Sequence, residues 1–263
     1  MSSPSTPLRP QRPTWSLTVV GARDVTPRMR RVSLIGDDLA AFSYRPGQDL
    51  VIELPDHGLG PARRHYTIRS FDTAEQRLDI DLVLHGDTPA VRWARRAAVG
   101  DRIVGQGPRG RTVVHPSAAW HLFTGDETAL PGIAAMIESL PARARAFAIV
   151  EVAGGEEEQP IATDATLEVK WLHRAGPPAA RSEALVAALD AFDLPAGDGH
   201  AYVIGETATV RAQRQGLIAR GVGKDQIAAE GYWRPGRIGG HDHVFDADIF
   251  GAFTRGRGRA RVG

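Results

Sequence analysis

The sequence predicts two units, an N-terminal antiparallel β-barrel and a C-terminal α/β unit built on a parallel sheet. Up to about residue 110, short segments alternate apolar and polar residues and are separated by Gly/Pro turns, as in small barrels. After about residue 116, apolar strands alternate with helices, which is the pattern of βαβ units. The length of 263 residues also fits two domains.

The boundary between the two units is expected at 111–118, where the pattern changes. The barrel is therefore assigned to 14–115 and the α/β unit to 116–237. We expect the Ser/Pro-rich segment 1–13 to be flexible, and 238–263 to form a C-terminal tail that ends in a Gly/Arg-rich stretch.

The barrel is predicted from short segments in which every second residue is apolar, and RLDIDLVLHG is the clearest of them. A helix over 88–97 interrupts the strands. Thr88 is its expected N-cap, and Pro89 lies at the first helical position, where an amide is not needed. Trp93 is expected to pack in the core. The strands are expected at 14–25, 28–36, 46–56, 65–71, 77–86 and 99–110.

The α/β unit is predicted from buried strands separated by helices. ARAFAIVEVA is almost continuously apolar, as expected for a parallel strand that is buried on both faces. Ser182 is the expected N-cap of one helix. The segments are a strand, turn and helix over 119–140, strands at 144–153, 166–174 and 200–206, and helices at 182–192 and 209–223.

Composition excludes several classes of protein. The chain has 32 basic and 31 acidic residues, and a net charge of +1 gives no reason to expect a nucleic-acid partner. It has no cysteine, which excludes disulfides, iron–sulfur clusters and cysteine nucleophiles and fits a reducing, cytoplasmic compartment. No secretory signal is recognisable, and no apolar run approaches the ~18 residues of a membrane span. No Ser/His/Asp order or nucleophile elbow suggests a hydrolase.

The segment RRHYTIRS at 63–70 is unusually cationic for a strand. Alternation places Arg64 and Tyr66 on one face and Thr67 and Arg69 on the other, and near a strand end or bulge both sets can touch one ligand. Arginine suits phosphate, tyrosine stacks on a flat ring, and threonine donates to a ring heteroatom. A flavin offers all three targets, while an exposed strand with scattered arginines is the alternative.

This segment resembles the FAD signature of the ferredoxin-reductase superfamily, and its surroundings resemble the siderophore-interacting FAD-binding proteins, the ferric-siderophore reductase branch. The resemblance covers 14–237 and implies an FAD-binding barrel followed by an NAD(P)H-binding α/β domain. Its specificity comes from several motifs in the family's order. These are RHYTIRS, LDIDLVLHG, TPAVRWA, VGDRIVGQGPRG, GDETALPGIAAMIESLP, IGETATVRAQRQGL and EGYWRPGR.

The resemblance implies how the barrel holds FAD. Arg64, Tyr66 and Thr67 would hold the isoalloxazine ring and the ribityl chain, and Arg69 would lie near the pyrophosphate. The other expected contacts are Val83, Leu84, His85, Thr88, Pro89 and Ala90.

Within that set, the helix that opens at Thr88 would point its amides at the pyrophosphate, since helix N-termini bind anions. The family commonly has glycine where this chain has Thr88, but a threonine hydroxyl can also donate, so we expect binding to survive. His85 would lie near the adenosine half of FAD; a partly exposed barrel histidine is the alternative.

The resemblance also places a nicotinamide nucleotide, NADPH or NADH, at the carboxyl ends of the parallel strands, where such sheets bind ligands. GDETALPG lacks a dinucleotide fingerprint, and Asp126 and Glu127 would repel phosphate. Lys170, His173 and Arg174 are candidates for the 2′-phosphate of NADPH, although a solvated strand end explains them equally well. The expected contacts are Gly125, Asp126, Lys170, Arg174, Gly205 and Glu206.

Two features near the C-terminus remain open. By the resemblance, Trp233 would cover the flavin or the nicotinamide pocket; packing between domains is the alternative. His241 and His243, with Asp246 and Asp248, resemble a metal cluster only weakly, and we expect no metal site.

The function implied is an FAD-dependent ferric-siderophore reductase that passes electrons from NAD(P)H through FAD to Fe(III)-siderophore and releases Fe(II). No catalytic side chain is expected, because the flavin carries the chemistry. The alternatives are a flavin-binding siderophore carrier or sensor, and a ferredoxin- or free-flavin-linked reductase on the same fold. We expect a monomer. The expected docking cations for an anionic chelate are Arg92, Arg95 and Arg96, or Lys170 and Arg174.

Overall fold

A computed structural model of the protein describes residues 12–54, 62–174, 176 and 181–236. This part of the chain forms a closed antiparallel barrel and a five-stranded parallel sheet. The fold class predicted from the sequence is therefore confirmed. The predicted C-terminal tail and almost all of the predicted flexible N-terminal segment lie outside the described residues.

The barrel closes in the order β1-β2-β5-β4-β3-β6. Its core is filled by the apolar residues that alternate along the strands, among them Leu50, Ile68 and Ile80, which are fully buried. A 3₁₀ turn at Leu39–Ala41 follows β2. The strands are β1 (Thr14–Thr26), β2 (Met29–Ile35), β3 (Asp49–Leu54), β4 (Ala62–Asp72), β5 (Arg77–Val83) and β6 (Arg102–Arg109).

A short helix, α1 (Pro89–Arg96), packs against the barrel core. The hydroxyl of Thr88 accepts a hydrogen bond from the amide of Val91 at 3.3 Å, which confirms the predicted N-cap. Trp93 is 2% exposed and lies among the core residues, so the prediction that it packs in the core is also confirmed.

The parallel sheet has the order β11-β10-β7-β8-β9. Two apolar clusters cover its faces, since neighbouring residues of β7 such as Leu122 and Phe123 belong to different clusters. Helices α3 and α4 pack on the first face and α2 on the second. The elements are β7 (His121–Asp126), α2 (Leu130–Glu138), β8 (Arg145–Val152), β9 (Thr166–His173), α3 (Glu183–Asp190), β10 (His200–Glu206), α4 (Thr207–Ala219) and β11 (Ile227–Trp233).

Two details of this unit differ from the prediction. Strand β11 was recognised only as the motif EGYWRPGR, because its Ala, Glu and Gly residues have low β-propensity; β10 supplies its parallel partner. Helix α4 begins at Thr207, two residues earlier than expected. The carboxylate of Glu206 caps it by accepting from the amides of Ala208 and Thr209 at 2.9 and 2.8 Å.

The two units meet along a contact that we call the seam, where α2 packs against β4. A Cβ atom added to Gly132 of α2 would lie 3.2 Å from Cγ2 of Thr67, so the helix and the strand approach closely there. Away from α2, the hydroxyl of Thr26 donates to the carboxylate of Glu157 at 2.5 Å. The seam therefore holds Thr67, in the middle of the cationic motif, against α2.

Candidate functional site

The cationic motif lies on β4, and the pairing of this strand changes along its length. Strand β3 pairs with its first part, from Ala62 to Thr67. Among the described residues, β5 pairs only with the second part of β4, from Ile68 to Asp72. The register of this pairing shifts between Ile68 and Ser70. The irregularity therefore lies at the end of the motif, at Arg69, whereas Arg64, Tyr66 and Thr67 pair regularly with β3.

Arg64 and Tyr66 form the first part of the site. Nη1 of Arg64 donates to the carbonyl of Arg63 at 2.9 Å, and among the described residues Arg64 has no carboxylate partner. Tyr66 packs against the barrel core, and burial raises the pKa of its hydroxyl, while the charge of Arg64 opposes that shift. A guanidinium without an acid beside a neutral aromatic ring is a donor set that fits FAD.

Thr67 lies at the seam itself. It is buried, α2 covers it at Gly132, and its hydroxyl lies 3.3 Å from the hydroxyl of Tyr232. Burial is the main cause that raises the pKa of Tyr232, and the nearby Glu230 adds to it. The phenol is therefore neutral at ordinary pH.

Arg69 is committed to acidic partners. Its guanidinium donates to both carboxylate oxygens of Glu138 at 2.6 Å, and its Nε lies 3.8 Å from Asp81. The structure thus brings Arg69 to the seam, beside the other motif residues, as an ion pair between barrel and α2. Its expected contact with the FAD pyrophosphate stays a prediction.

The end of β5 leads into the N-terminus of α1. Val83, Leu84 and His85 are half-buried or exposed, and Gly86 follows with φ +64° and open space where a Cβ would lie. Pro89 and Ala90 open the helix. The Thr88 hydroxyl already satisfies one amide there, so it acts first as an N-cap. The unfilled turn before the helix fits an anionic group such as the FAD pyrophosphate.

The carboxyl edge of the sheet is the second half of the site, and Asp126 is its centre. This carboxylate is 5% exposed and accepts from the indole Nε1 of Trp233 and from the amide of Glu206, both at 2.9 Å. A Cβ at Gly125 would lie 2.5 Å from the carbonyl of Ile204, so glycine is needed for strands β7 and β10 to approach here.

Arg174, just beyond β9, is held by two carboxylates. It donates to both oxygens of Glu127 at 2.9 and 2.6 Å and to Glu151 at 3.1 Å, and these bonds raise its pKa. The neighbouring His173 lies 2.6 Å from Glu158. Two of the three candidate cations for a 2′-phosphate, His173 and Arg174, are therefore already paired with acidic side chains.

Lys170 is not brought to this edge. It lies in mid-strand and lines a separate cavity with Arg145 and Phe192, beside the end of α3. Its expected contact with a nicotinamide nucleotide remains a prediction to which the geometry adds nothing.

Residues of the two units converge at His85. Its ring centroid lies 6.4 Å from that of Trp233. Burial lowers the pKa of His85, with Glu127 and Arg174 acting in opposite directions, so the ring is neutral at pH 7. His85, Trp233, Asp126 and Arg174 therefore form one surface where the barrel meets the carboxyl edge.

Sequence reasoning missed the partners of these residues. Tyr232 and Glu138 are not among the predicted site residues, although they lie within the motifs EGYWRPGR and GDETALPGIAAMIESLP. Glu127 was noted for its charge, yet its bond to Arg174 could not be read from the sequence. The adjacency of Tyr232 to Trp233 is the only local signal that any of these partners offered.

Within the described ranges, no helix combines the length and the apolar character that a membrane crossing requires. The described residues also contain no group of His, Asp and Glu side chains placed to hold a metal ion. His241, His243, Asp246 and Asp248 lie outside the described residues.

The chain matches two family models. Residues 48–112 match the siderophore-interacting FAD-binding domain, and residues 118–236 match the siderophore-interacting protein model. Together they span both units and contain Arg64, Tyr66, Asp126 and Trp233.

Three known proteins show similarity along most of their length. Ferric vibriobactin reductase ViuB of Vibrio cholerae is 30% identical over 246 residues, which cover 84% of this chain and 89% of ViuB. The NADPH-dependent ferric-chelate reductase of Escherichia coli is 27% identical over 239 residues, 82% of this chain and 91% of that protein. The crystal structure of a siderophore utilization protein from T. fusca has 34% identity and a TM-score of 0.81, covering 88% of this chain and 96% of that one.

Proposed function

Because this chain belongs to the siderophore-interacting protein family, we propose that it is an FAD-dependent ferric-siderophore reductase that draws electrons from NADPH or NADH. The similar proteins from Vibrio cholerae and Escherichia coli are named as ferric reductases, and the match covers both units of the chain. The protein is accordingly a flavoprotein oxidoreductase whose substrate is an iron chelate.

One observation carries the proposal. Arg64, which has no carboxylate partner among the described residues, lies beside Tyr66 on β4 and is partly exposed. A guanidinium that is accessible and not held by an acid can bind a phosphate or another electron-rich group of a ligand. FAD has the phosphates and the flat ring that this pair suits.

Bound FAD would supply the redox chemistry, accepting a hydride from NAD(P)H and returning single electrons to ferric iron. The protein supplies position. Arg64 and Tyr66 hold one side of the cofactor, Thr67 lies at the seam with its hydroxyl directed by Tyr232, and the turn before α1 receives the pyrophosphate. The carboxyl edge around Asp126 receives the nicotinamide nucleotide.

The chelate would dock by charge. Arg95 and Arg96 are exposed on α1, whereas Arg92 is paired with Asp87 at 2.6 Å. Because α1 begins at the expected pyrophosphate site, its exposed cations lie close to the cofactor and attract an anionic chelate. Fe(II) is held less tightly by siderophore oxygens than Fe(III), so reduction releases the iron.

We further propose that the protein acts as a monomer in the cytoplasm. Its lack of cysteine fits a reducing compartment. Light scattering of the FAD-loaded protein at increasing concentration measures the oligomeric state, and a mass above that of one 28.3 kDa chain would contradict the monomer.

The test of the reductase begins with the purified protein and FAD. We expect stoichiometric uptake of FAD, seen as flavin absorbance at about 450 nm. That absorbance should then bleach under anaerobic conditions when NADH or NADPH is added. A protein that takes up no FAD refutes the proposal. A protein that holds FAD but bleaches with neither nucleotide is a carrier or sensor, or draws on another donor.

A further inference from the structure

The carboxylate of Asp126 is surrounded by hydrogen-bond donors. Oδ1 accepts from the amide and the hydroxyl of Thr128, at 2.9 and 2.5 Å. Oδ2 accepts from the amide of Glu206 and from the indole of Trp233, both at 2.9 Å. Each oxygen thus receives two donors, which is the arrangement that an ionised carboxylate satisfies and a neutral side chain does not.

The backbone around this carboxylate is shaped to admit it. Gly205 has φ +133°, and a Cβ on it would lie 2.6 Å from Oδ2 of Asp126. Strands β7, β10 and β11 are consecutive neighbours in the sheet, and Asp126, Glu206 and Trp233 lie at their carboxyl ends. Asp126 therefore ties together the three strand ends that border the expected nicotinamide crevice.

The indole of Trp233 depends on this bond more than a core tryptophan would. Among the described residues, Trp93 and Trp120 belong to apolar core clusters, and Tyr232 packs against such a cluster. Trp233 neither belongs to one of these clusters nor packs against one. Its ring is partly exposed at the seam. The indole N–H is its single polar group, so the bond to Asp126 sets the direction of the ring.

We propose that Asp126 is a positioning residue, whose carboxylate fixes the Trp233 indole as a wall of the nicotinamide crevice next to His85. This inference rests on the proposed function, since it assigns Asp126 a role in how NAD(P)H engages the site. It goes beyond that function because it requires no contact between Asp126 and the nucleotide. It also gives a reason for glycine at position 205.

The ionisation of Asp126 agrees with this role. Burial first, and the charge of Glu127 second, raise the pKa of Asp126 to about 6, while the bonds from Thr128 and Trp233 oppose the shift. The carboxylate is thus ionised at pH 7. Below pH 6 one carboxylate oxygen is protonated and accepts hydrogen bonds less well, so the hydrogen bond from the Trp233 indole to Asp126 weakens. Glu206 and Tyr232 also lie near Asp126, and His85 and Arg174 lie near its neighbour Glu127.

Two variants test the proposal from opposite ends of the bond. Trp233→Phe removes the indole N–H and leaves Asp126 intact. Asp126→Asn replaces one accepting oxygen with an amide NH2 group, which cannot accept the hydrogen bonds that this oxygen receives. Trp120→Phe is the matched control. Trp120 is buried, immediately precedes β7, and donates an indole hydrogen bond of 3.1 Å to the carbonyl of Gly197.

The first measurement is anaerobic stopped-flow reduction of the FAD-loaded protein over a range of NADH and NADPH concentrations. We expect both test variants to raise the apparent Kd of the nucleotide about three- to tenfold, as loss of one oriented contact predicts. FAD affinity should change less than about twofold. The control should behave as the parent protein. Unchanged nucleotide affinity in Trp233→Phe would overturn the proposal.

The second measurement does not depend on activity. The near-ultraviolet circular dichroism of the full-length apoprotein, minus that of Trp233→Phe, isolates the signal of Trp233. We expect this signal to weaken as the pH falls through about 6, and to be weak at every pH in Asp126→Asn. A signal that is constant from pH 5 to 8 and unaffected by Asp126→Asn would refute the positioning role. If neither nucleotide reduces the flavin, this measurement still decides the inference, while the donor assignment fails separately.

Discussion

Arg69 of the barrel and Glu138 of α2 form a two-pronged ion pair across the seam, with both nitrogen–oxygen distances at 2.6 Å. Their side chains are 12% and 26% exposed. The pair joins residues that are far apart in the sequence and helps to hold β4 against the α/β unit. The expected pyrophosphate contact of Arg69 would have to share this guanidinium with Glu138.

We predict that Arg69→Ala and Glu138→Gln separate these two roles. Both should lower the free energy of unfolding by about 1–3 kcal/mol, because each removes the charge-assisted pair of hydrogen bonds between two partly buried groups. Only Arg69→Ala should also weaken FAD binding if Arg69 reaches the pyrophosphate. Urea denaturation and FAD titration measure the two effects.

The control for this pair is Asp24→Asn, which removes an exposed partner of Arg30 and should change stability by less than about 0.5 kcal/mol. Equal FAD affinity in Arg69→Ala and the parent protein would restrict Arg69 to a structural role.

Arg64 should matter for FAD and not for folding. Arg64→Ala is expected to weaken FAD binding by about 1–3 kcal/mol, because a charge-assisted bond to the cofactor is lost. The adjacent Arg63, which hydrogen bonds to Gln106, provides the matched control. Arg63→Ala should retain FAD as the parent protein does. Fluorescence titration of the apoproteins compares them, and similar loss in both variants would place Arg64 outside the site.

Stability should fall in mild acid because of a histidine cluster at the opposite edge of the sheet. The ring of His200 stacks on that of His115 at 5.1 Å, and burial, followed by the charges of His115 and His121, lowers the pKa of His200 to about 4. An unfolded histidine has a pKa of about 6.5. The unfolded chain therefore binds the extra proton between these values, and stability is complete above about pH 6.5 and declines below it.

For His200 alone, the loss at pH 5 amounts to about 2 kcal/mol. Asp126, whose pKa is raised, contributes a slope of opposite sign, so the test must compare variants. His200→Asn should remove the decline of the free energy of unfolding below pH 6.5. The control His173→Gln, at an exposed position, should retain this decline. Urea midpoints from pH 5 to 8 supply the comparison, and parallel profiles for parent and His200→Asn would disprove the assignment.

The features that the sequence predicts well are local. The N-caps Thr88 and Ser182 follow from residue type and the next few positions, and both accept the expected amide. The alternation along β5 and the apolar run of β8 report burial directly. The motif on β4 predicts the site because its unusual charge is contained within eight residues.

The features that escape prediction depend on distant partners. The Arg69–Glu138 pair spans 69 positions, and the bond from Trp233 to Asp126 spans 107. No local pattern reveals which acid an arginine meets after folding. For the same reason β11 escapes prediction, since its residues form a strand only when β10 provides the partner.

The proposed activity is the delivery of electrons from a nicotinamide nucleotide to a ferric siderophore. The most direct measurement reduces the FAD-loaded protein anaerobically with NADH or NADPH, adds a ferric siderophore, and follows flavin absorbance and Fe(II) in a ferrous-specific trap. We predict that the absorbance returns with release of about two Fe(II) per FAD, since two electrons reduce two ferric ions. Reduced protein that stays bleached with ferric chelates, but is reoxidised by ferredoxin or free flavin, would contradict it.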